Sequence, residues 1–273
     1  MNVDSPQILL VNDDGILSPG LWAAAQALSA LGFVTVAAPH MQYSGAGRSL
    51  SSGPKGKIEP TTLQIGDQEW TCYSIQGSPA ESVQIGILSI LKRLPDLVVS
   101  GINYGENPSI EISMSGTVGA ALEAAAHGVP ALAVSLELVT GDWFGYSRTV
   151  DFTAAAYFTR LFAQFLLTHT LPAEAQLLNL NIPAGATPAT PWKMTRLSQN
   201  RYFIPYLKGD SIERHAHIDS KIAFDPSDPA DQDSDVHALR VDKVVSVTPL
   251  TLDFTAQVDL QELQASLQKS IRE

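Results

Sequence analysis

ILLVNDDGILSPG, residues 8–20, is the stretch whose reading decides the fold. Ile8, Leu9, Leu10 and Val11 are four consecutive branched aliphatics. A strand covered on both faces needs no polar alternation, so they predict a buried strand. It stops in Asn12, Asp13, Asp14 and Gly15. Two adjacent carboxylates repel each other and are costly to desolvate unless something positive sits between them. Ser18-Pro19 then predicts a helix start, with Ser18 as N-cap and Pro19 in the first turn, where its missing N–H does no harm. The carboxylate pair is thus expected at the carboxyl end of a central strand, facing a helix N-terminus. In open α/β sheets that edge is where ligands bind. Taken alone, the pair reads equally well as a solvated polar turn.

The pattern continues outward as alternating strands and helices. Leu21, Ala25, Leu28 and Leu31 recur at helical spacing, Gly32 stands where a C-terminal cap belongs, and residues 33–38 read as the next strand. Together these make a βαβ unit. The Ser- and Gly-rich loop 39–56 leaves the carboxyl end of that second strand and so borders the same cleft. Ser44 and nearby N–H groups are positioned to meet a ligand, although an ordinary solvated loop has the same composition. Gly45-Ala46-Gly47 lacks the third glycine and the following helix of a dinucleotide fingerprint, which excludes that type of cofactor site. Residues 57–65 and 69–75 predict a hairpin around Gly66-Asp67. Cys72 in its second strand reads as a small core residue. Ser78 and Glu81 form a capping box, and Val83, Ile87, Ile90 and Leu91 supply the apolar stripe of the helix behind it.

A third core strand spans 96–100 and ends in Gly101-Ile102-Asn103-Tyr104-Gly105-Glu106-Asn107-Pro108. Asn103 and Asn107 can each offer a carbonyl oxygen or an amide donor; asparagine is also common in turns for conformational reasons alone. Ser115, Gly116 and Thr117 open a second helix that Gly128 ends. Free N–H groups and the positive end of the dipole there favour a phosphate, while a plain cap uses the same residues. Residues 130–136 and 176–182 read as further strands. The loop between 137 and 150 carries Trp143, Phe144 and Tyr146, and 151–167 reads as an amphipathic helix capped by Asp151. After Pro183 the pattern turns polar, with strand character at 192–197, 202–204 and 244–247 and a terminal amphipathic helix at 260–271. His215 and His217 would share one strand face, but a third zinc ligand at a sensible spacing is missing. The chain, 1–273, therefore reads as one α/β domain, with a core at 7–183 and an arm with terminal helix at 184–273.

Composition narrows the partners. The net charge is −11, which disfavours nucleic-acid polymers, since clustered Lys and Arg supply most of that affinity. Cys72 is the only cysteine, so an intramolecular disulfide and a thiolate zinc cage are both excluded, and a reduced, cytoplasmic setting is expected. Residues 1–6 lack the basic and apolar regions of a secretory leader. No uninterrupted apolar run approaches the ~20 residues that span a bilayer.

Three strand ends and one helix start thus converge, carrying Asp13, Asp14, Ser44, Asn103, Asn107 and residues 115–117. All offer oxygen or amide groups, with no His or Cys among them. Oxygen-only ligation suits a hard divalent cation such as Mg²⁺ or Mn²⁺. A cation held between carboxylates, beside a helix N-terminus, is the minimum for metal-assisted hydrolysis of a phosphate monoester.

These residues carry a family resemblance. Residues 8–20, AP followed by YSGAGRSLS at 43–51, SGINYGEN at 100–107, SGTVGAALE at 115–123, VPALAVS at 129–135 and SVTPLTLDFT at 246–255 together resemble the SurE family of stationary-phase survival proteins. That family comprises metal-dependent 5′/3′-nucleotidases. The resemblance implies that Asp13, Asp14, Ser44 and Asn103 ligate one divalent metal ion per subunit, with Asp13 and Asp14 as the catalytic pair. It places Asn12, Asn107, Ser115, Gly116 and Thr117 around the phosphate of a nucleoside monophosphate that a metal-activated water attacks. It further implies a Rossmann-like, three-layer, mostly parallel core, with a C-terminal β-hairpin arm and terminal helix that build homodimers or homotetramers. His40 stands where the family usually has Asp, Met114 where it usually has Tyr, and GSPAES departs from its commoner form. None of these is an implied ligand; they bear on base preference and rate. A nucleotide-binding sensor with weak or no turnover is the alternative function, and a mainly structural oligomer a third.

Overall fold

A computed structural model of the chain describes residues 5–50, 57–139, 149–208 and 218–272. The aromatic loop with Trp143, Phe144 and Tyr146, and the pair His215 and His217, lie outside the described residues.

The first strand, β1 (Gln7–Val11), is the spine of the sheet. Its side chains alternate between two cores. Ile8 and Leu10 pack in the cluster on one face with Leu21, Trp22 and Phe158. Leu9 and Val11 pack in the cluster on the other, with Val83 and Val118. All four are fully buried. Burying four such side chains is worth roughly 6–12 kcal/mol, as much as the net stability of a typical domain. The run therefore needs cover on both sides, and it has it. Helices α1 (Pro19–Leu28) and α4 (Thr153–Thr168) share one face; α2 (Pro79–Ile85) and α3 (Gly116–Ala126) share the other.

The remaining strands are β2 (Phe33–Pro39), β3 (Ile58–Ile65), β4 (Gln68–Ile75), β5 (Leu97–Tyr104), β6 (Ala131–Leu136), β7 (Leu177–Ile182), β8 (Trp192–Met194), β9 (Phe203–Leu207), β10 (Ile218–Ile222) and β11 (Val245–Leu250). The main sheet has nine strands in the order β3-β4-β2-β1-β5-β6-β7-β11-β8. From β4 to β7 every pairing is parallel. The antiparallel pairs are β3 with β4 and β7 with β11. The chain steps from β1 to β2 on one side and returns to β5 on the other. The carboxyl ends of β1 and β5 thus flank the crevice where strand order reverses.

Local signals hold where the chain is its own context. The hairpin turns at Gly66-Asp67, and Ser78 and Glu81 form both halves of the capping box. Four features differ. Ser18 holds the N-cap position, but its hydroxyl makes no cap bond and is buried without a hydrogen-bond partner among the described residues. Gly32 caps nothing: α1 ends at Leu28, and a Cβ at Gly32 would sit 2.3 Å from the Pro6 carbonyl oxygen. Glycine there lets the start of β2 close on the start of β1. The third core strand runs past Ser100 to Tyr104, with its register on β6 shifting between Ser100 and Asn103. Gly101, at φ +131°, supplies the backbone conformation that this irregular stretch requires. Finally, the sheet does not end at 183. β11 inserts between β7 and β8, and its buried residues Val245 and Val247 belong to the main core.

The segment between β8 and β11 leaves the core as the two-stranded hairpin β9–β10 and returns through residues 229–242. The C-terminal helix, Leu260–Arg272, follows β11, and every residue whose side chain is described is exposed.

Candidate active site

The turn after β1 is closed from within. The Asn12 side-chain amide donates to the Gly15 carbonyl (3.0 Å), and its Oδ1 accepts from the Gly15 N–H (3.2 Å). This Asx-type closure turns Asp13 and Asp14 toward neighbouring elements. Both are nearly inaccessible, at 4% and 2% exposure. Asp13 meets the start of α3: the Thr117 hydroxyl donates to its Oδ1 at 2.6 Å. A Cβ at Gly116 would lie 2.7 Å from the Asp13 Cβ, so glycine lets the helix end approach. Burial nevertheless pushes the Asp13 carboxyl up to about 6, against the lowering effect of the Thr117 hydroxyl and the N–H groups of Thr117 and Gly116. Asp14 meets β5: its Oδ2 accepts from the Tyr104 N–H at 3.0 Å. Burial first, and then the charge of Asp13, hold the Asp14 carboxyl well above its usual range.

Two neutral oxygens flank the pair. The loop after β2 lies on the turn, its Tyr43 N–H donating to the Asp13 carbonyl at 2.7 Å. It carries Ser44, which is exposed to the cleft. Asn103, at the end of β5, points its Nδ2 at the Gly105 carbonyl (2.7 Å). Its Oδ1 takes no hydrogen bond among the described residues. Asp13, Ser44, Asn103, Asn107 and Ser115 all line one cleft of about 700 Å³, with Asp14 immediately behind Asp13.

The donor chemistry fits a hard cation. Among the described residues no Lys, Arg or His nitrogen forms an ion pair with Asp13, and no three His, Cys, Asp or Glu side chains form a metal cluster. Two adjacent buried carboxylates and two neutral oxygens form a set that a divalent cation would complete. Asp13, Asp14, Ser44 and Asn103 are the residues that would hold it.

The residues grouped by sequence around a phosphate divide in two. Ser115 and Asn107 border the cleft. Ser115 uses its Oγ to cap the Val118 N–H (3.1 Å). Asn107 is gripped from β7 and β6: its N–H donates to Asn181 Oδ1 (2.7 Å), its carbonyl accepts from Asn179 Nδ2 (3.0 Å), and its Nδ2 donates to the Ser135 hydroxyl (2.8 Å). Asn12, Gly116 and Thr117 stand behind, with their hydrogen bonds directed to the turn and to Asp13. Asp13 thus faces the start of α3 and Asp14 the end of β5, rather than the start of α1.

The hairpin arm supplies the far wall through Phe203, Ile218 and Ser220. It is fastened by carboxylates that sequence reasoning did not single out. The Tyr202 hydroxyl, on a side chain 1% exposed, donates to Glu106 Oε1 at 2.8 Å. The Tyr202 N–H donates to Glu111 Oε2 (3.1 Å). Asp235 accepts from the N–H groups of Ser109 (2.8 Å), Ser198 (2.9 Å) and Val236 (2.9 Å). Burial raises Glu106 above the usual carboxylate range and pushes Asp235 up to about 6. The available signal was weak: isolated acids in polar stretches, and two asparagines inside the aliphatic run LLNLNI of β7.

The chain is similar to known proteins over nearly its whole length. The family model described as survival protein SurE matches residues 8–203. A protein of Methanosarcina acetivorans named 5′-nucleotidase SurE is 40% identical over 271 residues, covering 96% of this chain and 98% of that one. A protein of the same name from Thermococcus kodakarensis is 38% identical over 265 residues, covering 96% and 98%. Among solved structures, the SurE protein of Aquifex aeolicus superposes with a TM-score of 0.74 at 30% identity, covering 98% of this chain and 100% of that one.

Proposed function

The chain belongs to the SurE family, and from that premise we propose that it is a divalent-metal-dependent 5′-nucleotidase that also accepts nucleoside 3′-monophosphates. The observation that carries the metal dependence is the adjacency of two buried carboxylates: Asp13 lines one cleft with Ser44 and Asn103, and Asp14, next to it, shares the Gln42 amide with Ser44. One Mg²⁺ or Mn²⁺ per subunit is the cofactor this reading requires. When bound, such an ion neutralises the pair, holds a phosphoryl oxygen and lowers the pKa of a water beside it.

The contacts support the following part for the chain's own residues. Asp13, fixed by the Thr117 hydroxyl and the start of α3, orients the attacking water and takes up its proton. Asp14, fixed from the Tyr104 N–H, holds the second carboxylate in register. Ser115 and Asn107 contact the phosphate, and the rigid grip on Asn107 from Asn179 and Asn181 keeps that contact in place. Asn12, Gly116 and Thr117 act as positioning groups. A covalent aspartyl-phosphate is disfavoured, because Gly15 stands where the second Asp of an Asp-x-Asp motif would be.

The reading extends to assembly. Leu260, Leu263, Leu267 and Ile271 form one apolar stripe on the C-terminal helix, each 48–81% exposed. A stripe this bare is stable in water only against another surface. We read the single domain 1–273 as a homodimer or homotetramer, with the hairpin arm and terminal helix of the C-terminal region, 184–273, serving its contacts. No helix among the described residues is long and apolar enough to cross a membrane. A cytoplasmic setting is part of the same proposal.

The test is phosphate release from 5′-AMP, 3′-AMP and an aryl phosphate, with Mn²⁺, Mg²⁺ or EDTA, by wild type and Asp14→Asn. Release that EDTA and the substitution both abolish supports the proposal. Release that survives both rejects the carboxylate site. Bound nucleotide with no release moves the protein to the sensor class.

A further inference from the structure

The loop that presents Ser44 is held at its backbone by several bonds. Ile16 N–H donates to the Pro39 carbonyl (2.8 Å), Tyr43 N–H to Asp13 (2.7 Å) and Gly47 N–H to Met114 (2.9 Å). Its far end is pressed on α3, where a Cβ at Gly119 would stand 2.3 Å from the Gly47 carbonyl oxygen. Arg48 adds an ion pair to Glu123 at 2.7 Å. These contacts place the Ser44 Cα. None of them sets the direction of its hydroxyl, which on an exposed serine has three staggered wells.

One side chain does set it. The Gln42 amide nitrogen donates to Ser44 Oγ at 2.9 Å and to Asp14 Oδ1 at 3.3 Å. A carboxylate only accepts, so the NH₂ end of the amide is the end that faces Asp14. The two hydrogens of one nitrogen thus span a charged and a neutral oxygen of the same candidate cation site. Gln42 is half-buried against the turn, while the hydroxyl it orients is exposed.

We propose that Gln42 is the positioning residue of the cation site: its amide selects the Ser44 rotamer and fixes the spacing of Ser44 Oγ from Asp14. The inference rests on the cation reading above. Gln42 itself donates no oxygen to the ion; it acts through Ser44. Outer groups that orient ligands are commonly worth about 10- to 100-fold in metal affinity. A neutral ligand on a flexible loop belongs at the lower end of that range.

The experiment is a double-substitution cycle read as Mn²⁺ affinity, by calorimetry and by electron paramagnetic resonance of free Mn²⁺, without substrate. Gln42→Met keeps an unbranched side chain of similar length and removes both donors. Gln42→Ala is the second variant, used if the first fails to melt cooperatively. The expected result is an affinity about tenfold weaker for Gln42→Met, and no further loss beyond twofold when it is added to Ser44→Ala. Wild-type affinity in Gln42→Met would overturn the inference. So would a full tenfold loss repeated on the Ser44→Ala background, because Gln42 would then be acting elsewhere. Absence of saturable Mn²⁺ binding by wild type would overturn the cation reading itself and this inference with it.

Discussion

Two groups of buried carboxylates sit within one cleft wall of each other, and they are finished differently. At the arm junction, Asp235 is fully buried, yet both of its oxygens are met by backbone N–H groups from separate segments. Glu106 is met by the Tyr202 hydroxyl. These acids fasten the arm to the stretch after β5 with donors the chain already owns. Asp13 and Asp14 are as deeply buried and also accept hydrogen bonds, from the Thr117 hydroxyl and the Tyr104 N–H, but they are adjacent, and the charge of Asp13 raises Asp14 further. Burial alone therefore does not separate a structural acid from a functional one. The setting does: Asp235 takes N–H groups from three residues, whereas at the β1 turn two carboxylates stand side by side, the charge of one raising the other.

That comparison can be broken at several points. Its largest consequence concerns turnover. Asp14→Asn should lower kcat/KM for 5′-AMP by about 10³-fold or more, on the order of 4 kcal/mol, while the far-UV spectrum stays native. A loss under tenfold would put the pair on the same footing as the junction acids. Next, Asp235→Ala leaves buried N–H groups without an acceptor. It should cost on the order of 3 kcal/mol in urea unfolding, with residual activity in proportion to the folded fraction. A neutral outcome would mean that solvent reaches the junction.

A third test uses pH. Burial holds Asp235 at about 6 in the native chain, against an ordinary value of 3.8. Between those values the native state binds the extra proton, so this contribution favours the fold below about pH 4 and is withdrawn as pH rises through 6. Relative to Asp235→Asn, wild type should lose on the order of 2 kcal/mol between about pH 4 and about pH 7. A flat difference would show that the three N–H donors fully offset burial. The smallest effect has the opposite sign to the usual one. In EDTA, Asp14→Asn should melt about 2–4 °C higher than wild type, because one of two mutually repelling buried charges is gone. A lower melting temperature would mean that the pair is already compensated within the chain.

How far the molecule was legible in advance follows the range of each interaction. The buried run 8–11, the hairpin at Gly66-Asp67 and the Ser78–Glu81 box depend on neighbours a few residues away, and they were readable; the closure of the β1 turn by the Asn12 side chain was not read. Asp13, Asp14, Ser44 and Asn103 were readable as strand-end and loop oxygens because α/β sheets gather such ends. The division of labour among the phosphate candidates was not. Nothing in SGTV says that Thr117 turns its hydroxyl onto Asp13, 104 residues earlier. The grip of Asn179 and Asn181 on Asn107 and the anchoring of Tyr202 join equally distant segments. Ser18 shows the converse: the favoured cap residue was in place, yet its hydroxyl makes no cap bond.

The place of β11 has a consequence for how the chain is made. β7 is complete at residue 182, but the strand that covers its outer edge ends at residue 250. At roughly 5–20 residues per second, a nascent chain would expose that edge for several seconds while the arm emerges. An open strand edge during that interval is a template for a second nascent chain. Crowded polysomes translating this message would then be the setting in which mispaired copies arise, and slowing elongation between codons 183 and 245 would lengthen the exposure without altering a single residue.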